Sequence, residues 1–495
     1  VKTVFKSVCI SVALAVLARG QQAPGPYKDR KGGPQTKAEQ RAVEILELVN
    51  NGDSTKVKAY VQENFSDEFR SLASPDEHAQ VFREVLASSR GFELYGFRAY
   101  DPPRPETEAV AILKNRLTEG WEAIVVTIEK DPPHRLAGLQ FAPARPPSDL
   151  PPGKKLTQDE LKAELAAFLD RLVEQSAFSG AVLLAKDGEV LFKSAYGEAC
   201  KSFHVANKTD TKFNLGSMNK MFTAVAIAQL VERGKLSFDD PVSKHLSTDW
   251  LAREAGDKIK VEHLLTHTSG LGSHFTDELM HASRDLYRDV DDYKPIIAKQ
   301  TPSFEPGGDW AYSNAGYLVL GAIIESVTGQ RYFDYVRENI SKPAGMVNTD
   351  CYDVDRPIEN LALGYVKEPA TDGQPEWRSN IFMHVAKGGP AGGGYSTVED
   401  LLQFDRAMRS GTLVKAETRD RMWSPKPGSP DYGYGFGLQG QTGNRIVGHG
   451  GGFPGINSDL KIYVDRGYTA AVMSNYDRGA SVVSGKIDEL LRRVE

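Results

Sequence analysis

Hydrophobic positions recur at helical spacing near the start of the chain and at alternating spacing after it. Ala42, Ile45, Leu46 and Val49 repeat every three to four residues behind Thr36 and Glu39, which form a capping box, and Asn51-Gly52 ends the run. Ser74, with Pro75 at the first helical position and Glu77 completing a second box, opens a helix carrying Val81, Phe82, Val85 and Leu86. From residue 92 the pattern changes to strand-like runs over 92–100, 107–114, 121–129 and 135–141, separated by Pro- or Gly-containing turns. This order predicts a small α+β unit over residues 36–142, helices first and a curved antiparallel sheet after them.

Residues 142–153 contain five prolines and read as part of an interdomain linker spanning 143–155, while residues 21–35, rich in Pro, Gly, Gln and Lys, read as a flexible leader. Beyond the linker, Thr157 and Glu160 form a third capping box ahead of Leu161, Leu165, Phe168, Leu169 and Leu172. Asp187-Gly188 joins the strand-like runs 181–185 and 190–194 as a hairpin. Further strands are expected at 446–447, 457–464 and 468–473, before a last helix over 481–494. Strands and a helix at both ends of residues 156–495, with a helix-rich middle, predict an antiparallel sheet closed by the two ends and flanked by helices, with a helical subdomain inserted.

At 495 residues and 40% hydrophobic content the chain has room for two or three units. A net charge of −6 with both signs mixed along the chain leaves no electrostatic footprint for nucleic acid. Lys2, Lys6, the apolar run 8–17 and Ala18-Arg19-Gly20 read as a signal peptide over residues 1–20, so an exported, periplasmic or secreted protein is expected. The run is shorter than the roughly 18 to 20 residues of a membrane span, and no other segment reaches that length. Cys9 leaves with the signal; Cys200 and Cys351 either pair or stay free. His263 and His267 stand four apart but lack the glutamate of H-E-x-x-H and a third ligand, so both read as structural, and neither a metal nor a cofactor is expected.

The chemistry begins with Ser-x-x-Lys, which occurs twice. Ser458 and Lys461 fall in an alternating run, where an offset of three puts side chains on opposite faces. Ser217 instead precedes an almost wholly apolar stretch, from Met221 to Val231, that predicts a buried helix. Lys220 then lies one turn on from Ser217 and on the same face. The helix N-terminus favours an alkoxide or oxyanion at the serine and disfavours a charged lysine, moving Lys220 toward the neutral amine that accepts the serine proton. Tyr312-Ser313-Asn314 offers a second station. Tyr312 qualifies as general base or acid if Lys220 depresses its phenol, and Asn314 can bind both that lysine and a substrate carbonyl. The third is His449-Gly450-Gly451-Gly452, where a glycine strand brings backbone close to a ligand. The amide of Gly452 pairs with that of Ser217 as an oxyanion hole, and His449 stands beside the leaving group. No G-x-S-x-G occurs, which excludes an α/β-hydrolase elbow.

Together with Leu264 to Leu271 (LLTHTSGL) and Gly393-Gly394-Tyr395-Ser396-Thr397, these stations make residues 156–495 resemble the serine β-lactamase and penicillin-binding-protein superfamily, in its class C-like branch. The resemblance implies that fold, a Ser217 nucleophile, Lys220 and Tyr312 as proton carriers, and Asn314, His449, Gly450 and Gly451 as substrate ligands. Where class C enzymes usually carry K-T-G, this chain has His449-Gly450-Gly451, as in D-amino-acid peptidases, D-alanyl-D-alanine carboxypeptidases and esterases. The expected activity is therefore hydrolysis of an ester, D-amino-acid peptide or amide through an acyl-enzyme, on a small-molecule or peptidic substrate. A true class C-like β-lactamase and an acylatable or inert binding or sensor protein stand as alternatives. The element order of residues 36–142 resembles the cystatin-like cone fold of the SnoaL and ketosteroid-isomerase-like families, which implies a pocket without naming its ligand.

Overall fold

The computed structural model describes residues 26–150, 153–368 and 376–494, so the signal read from residues 1–20 lies outside the described residues. The chain divides into two compact units, with the boundary between Lys155 and Leu156.

In the first unit, helices Lys37–Asn51, Ser54–Asn64 and Pro75–Ser89 share a core with an antiparallel sheet of five strands running in chain order. Ala42, Ile45 and Val49 are fully buried in that core with Ala111, Leu113, Ile124 and Val126, as their helical and alternating spacings require. The boxes Thr36/Glu39 and Ser74/Glu77 both form. The segment read as a flexible leader differs from expectation: Tyr27–Lys31 is the edge strand, paired antiparallel with Phe92–Tyr100. It lacks hydrophobic alternation because backbone pairing and charge hold it. Asp29 bonds Arg98 at 2.8 Å with side chains 0% and 3% exposed, and Asp29 also accepts the Ser148 amide at 2.9 Å. Removing either partner of such a pair costs about 3–5 kcal/mol, since the other charge stays buried. Arg98 also donates to the Arg145 carbonyl at 2.9 Å and Tyr27 to that of Pro146 at 3.1 Å, so the start of the Pro-rich stretch lies against this sheet.

In the second unit, six antiparallel strands are ordered Gly437–Gln439, Ile446–Phe453, Ile456–Tyr463, Tyr468–Ser474, Gly180–Lys186 and Glu189–Tyr196. The two ends of the unit meet where Tyr468–Ser474 pairs with Gly180–Lys186. The Thr157/Glu160 box forms and opens helix Gln158–Glu174, which packs with the last helix, Gly479–Leu491. Helix Asn219–Glu232 has every residue from Asn219 to Leu230 buried, the consequence of a sequence with no polar face. Helix Asn314–Thr328 packs against it, in the same core as the inner face of the sheet. Cys200 and Cys351 are both free thiols. Among the described residues no helix is long and apolar enough to cross a membrane.

Candidate active site

The site is assembled on the turn that enters helix Asn219–Glu232. Gly216–Met218 form a 3₁₀ turn in which Gly216 has φ +49°, and a side chain there would lie 3.0 Å from both the Gly451 Cα and the Gly452 nitrogen. The turn is thus pressed against the glycine strand Ile446–Phe453, which the run from Gly450 to Gly452 allows: a Cβ on Gly451 would meet the Leu215 carbonyl at 2.0 Å. Ser458, on the neighbouring strand, donates to that same carbonyl at 2.6 Å.

A second wrap comes from residues 388–394. Gly393 N–H donates to the Gly216 carbonyl at 3.1 Å, Leu215 N–H to the Gly394 carbonyl at 2.7 Å, and Thr223 Oγ1 to the Pro390 carbonyl at 2.8 Å. Asn219 bonds the Gly389 carbonyl and the Gly394 amide, at 3.3 and 3.0 Å. The glycines are sterically required, because a Cβ on Gly392 would stand 2.9 Å from the Gly216 oxygen and one on Gly394 2.5 Å from Asn219 Oδ1.

Within this frame Lys220 is fully buried. Its Nζ lies 3.2 Å from Ser217 Oγ and 2.8 Å from Asn314 Oδ1, and it also bonds the Ala391 carbonyl. None of these partners is a carboxylate. Burial therefore lowers the ammonium pKa well below its ordinary value, and the neutral amine fits its surroundings. As an amine, Nζ has two hydrogens for the Asn314 and Ala391 oxygens and a lone pair for the half-buried Ser217 hydroxyl.

The Tyr312 side chain stands near Ser217, and its ring centroid is 4.9 Å from Lys220 Nζ. The phenol is not depressed as the sequence reading required. Burial of the group pushes it up to about 12, against a smaller lowering by the nearby Ser217 hydroxyl, even though the residue as a whole is 39% exposed.

His449 has both ring nitrogens engaged. Nδ1 lies 2.5 Å from the Gly450 carbonyl, which only accepts, so Nδ1 carries the hydrogen; Nε2 then accepts from the Tyr432 hydroxyl at 2.8 Å. Burial above all lowers its pKa to about 4, so the imidazole is neutral at pH 7.

Several contributors carry no readable motif. The Ala391 carbonyl and the Tyr432 hydroxyl are invisible as patterns, and Ser458 serves the site from the motif copy that its strand makes useless for catalysis. His267, read as structural, accepts the Ser313 amide through Nδ1 at 3.1 Å and sits against the rings of Tyr312, Tyr317 and Tyr432, with centroids 4.3, 5.3 and 4.7 Å away. It holds the Tyr312 turn in place, as does its carbonyl, which accepts the Ala311 amide at 3.0 Å. His263 accepts the Lys260 amide at 3.2 Å.

The Beta-lactamase family model matches residues 165–492, across nearly all of the second unit. The chain belongs to the Beta-lactamase family. Within it, this chain is 31% identical to penicillin-binding protein 4* of Bacillus subtilis over 330 residues, which is 63% of this chain and 72% of that protein. It is 30% identical to esterase EstB of Burkholderia gladioli over 331 residues, 58% of this chain and 81% of that one. The crystal structure of a penicillin-binding protein from Bacillus halodurans superposes with a TM-score of 0.60 at 31% identity, covering 65% of this chain and 98% of that one. The Beta-lactamase-family unit thus stands among β-lactamase-like hydrolases, and the match leaves the first unit outside it.

Proposed function

We propose that the second unit is a serine hydrolase that forms an acyl-enzyme on Ser217 and cleaves esters and, by the same chemistry, amides or D-amino-acid peptides. The observation that carries this reading is the uncharged environment of Lys220, whose buried Nζ faces Ser217 Oγ at 3.2 Å while two oxygens take its hydrogens. The Ser217 proton passes to Nζ as Oγ bonds the substrate carbonyl carbon. The oxygen, now negative, rests on the amides of Ser217 and Gly452. Tyr312, a neutral phenol, donates its proton to the leaving group and regains one from the Lys220 ammonium. Water then enters by the reverse route and frees the acid. Asn314 orients Lys220 and offers its amide nitrogen to the acyl carbonyl side.

The His449 station sets this reading apart from that of a class C-like β-lactamase. A neutral imidazole with both nitrogens engaged supplies neither a fixed charge nor a spare hydrogen for a substrate carboxylate. Similarity to an esterase of the family supports the same choice. Residues 1–20 read as an export signal, and we infer that the enzyme works outside the cytoplasm. The full chain should hydrolyse p-nitrophenyl acetate about 10³-fold or more faster than Ser217→Ala, with nitrocefin turnover near that of buffer. Equal rates for the two proteins on esters and on D-alanine amides would leave only the binding or sensor alternative.

A further inference from the structure

Two loops that border the site are joined by one ring contact. Phe275 stacks on Phe453 with centroids 5.4 Å apart and planes at 24°. Phe453 ends the glycine strand and directly follows Gly452. Phe275 belongs to the segment after His267, and the base of that segment is tied to the Tyr312 turn: the Gly272 carbonyl accepts Ser313 Oγ at 3.0 Å and the Ala315 amide at 3.2 Å. The segment is also held internally. Gln300 bonds the Gly272 amide and the Ser273 carbonyl at 3.0 and 2.9 Å, and the Phe275 amide donates to Ser273 Oγ at 3.2 Å. Behind the ring, buried His274 lies against Phe275 at 4.2 Å and meets the edge of Tyr293 at 5.3 Å. Phe275 is nonetheless 37% exposed, as are Trp310 at 44% and Tyr312 at 39%, so the aromatic groups have open surface to offer a ligand.

The direction of the strand tells which part of a substrate meets these rings. At its His449 end the ring of Tyr312 lies 6.5 Å away, where the leaving group takes its proton. Gly452 follows, with open space where a side chain would be, and Phe453 stands beyond it. A carbonyl oxygen placed on the Gly452 amide with its leaving group toward Tyr312 sends its acyl substituent toward Phe453. We propose that Phe275 and Phe453 form the acyl-side wall of the site and select apolar acyl chains, linear or aromatic, over acetyl. This inference rests on the acyl-enzyme reading. Each methylene covered by such a wall strengthens binding by about fourfold.

The test uses the full chain and reads the ratio of kcat/KM for p-nitrophenyl hexanoate to that for the acetate, beside intact-mass detection of Ser217 adducts with ethyl and hexyl fluorophosphonates. Wild type should favour hexanoate. Phe275→Ala and Phe453→Ala should each lower the ratio about tenfold, mainly through a higher KM for hexanoate, and Phe275→Leu should keep most of it. Adducts on Ser217 with an unchanged or increased ratio in both alanine variants would overturn the wall alone. Absence of any Ser217 adduct and of ester turnover in wild type would overturn the acyl-enzyme reading and the wall with it.

Discussion

Ser217 and Lys220 stand three residues apart on the turn entering a helix, and Ser458 and Lys461 stand three apart on a strand. In the first pair the side chains meet at 3.2 Å. In the second they leave opposite faces: Ser458 bonds the Leu215 carbonyl on the inner side, and Lys461 pairs with Asp488 of the last helix. Lys461 keeps a carboxylate partner, whereas Lys220 has only neutral oxygens around it and is pushed toward the amine. Identical spacing thus brings serine and lysine together in one setting and sends the lysine to a structural ion pair in the other. The second copy still serves the first, because Ser458 donates to the Leu215 carbonyl just ahead of the Ser217 turn.

The contrast is open to attack at each of its four residues. Ser217→Ala should lower ester turnover by about 10³-fold or more, leaving only what binding and the oxyanion hole supply, as read by steady-state rates. Lys220→Met should approach the same loss, and it carries a second signature in stability. The folded-state pKa of Lys220 lies below the unfolded value of 10.5, so across that interval the unfolded chain holds one proton more. Native stability of the wild type must therefore rise with pH through this window, by about 1.4 kcal/mol per unit relative to Lys220→Met. Urea unfolding of both proteins at several pH values checks the slope; parallel curves would mean that the buried lysine is charged.

Tyr312→Phe should cost about 10² in rate for an amide and less for a p-nitrophenyl ester, whose leaving group needs no proton. Comparing the two substrates reads this difference directly. Ser458→Ala should slow turnover by about tenfold and destabilise by about 0.5–1.5 kcal/mol, since it removes one of the two donors to the buried Leu215 carbonyl and leaves only the Met218 amide at 3.1 Å. Lys461→Met should change the ester rate less than about twofold while lowering Tm by a few degrees through the unpaired Asp488. A larger rate effect at Lys461 than at Ser458 would break the assignment of the two faces.

Much of this was legible from residues that act locally. The capping pairs Thr36/Glu39, Ser74/Glu77 and Thr157/Glu160 form as their spacing implies, and alternation located the strands that bring the ends of the second unit together. Helix periodicity set Lys220 beside Ser217. What escaped was set by packing across long sequence distances. Tyr27–Lys31 has no strand pattern because the Asp29–Arg98 pair and an edge ladder hold it. The Ala391 carbonyl belongs to a backbone that any residue has, and only the surrounding glycines hint at a close approach. The Tyr312 phenol moved opposite to expectation because its own burial, which raises it, outweighs the influence of its neighbours. Tyr432 escaped because nothing in its own neighbourhood shows that it fixes the tautomer of His449, seventeen residues away.

The central claim, that Ser217 and not its twin is the nucleophile, is tested most directly by mapping covalent adducts after treatment of the full chain with a fluorophosphonate. A single adduct on Ser217, absent from Ser217→Ala and still present on Ser458→Ala, is the result this account predicts. An adduct on Ser458, or one that survives in Ser217→Ala, would contradict it.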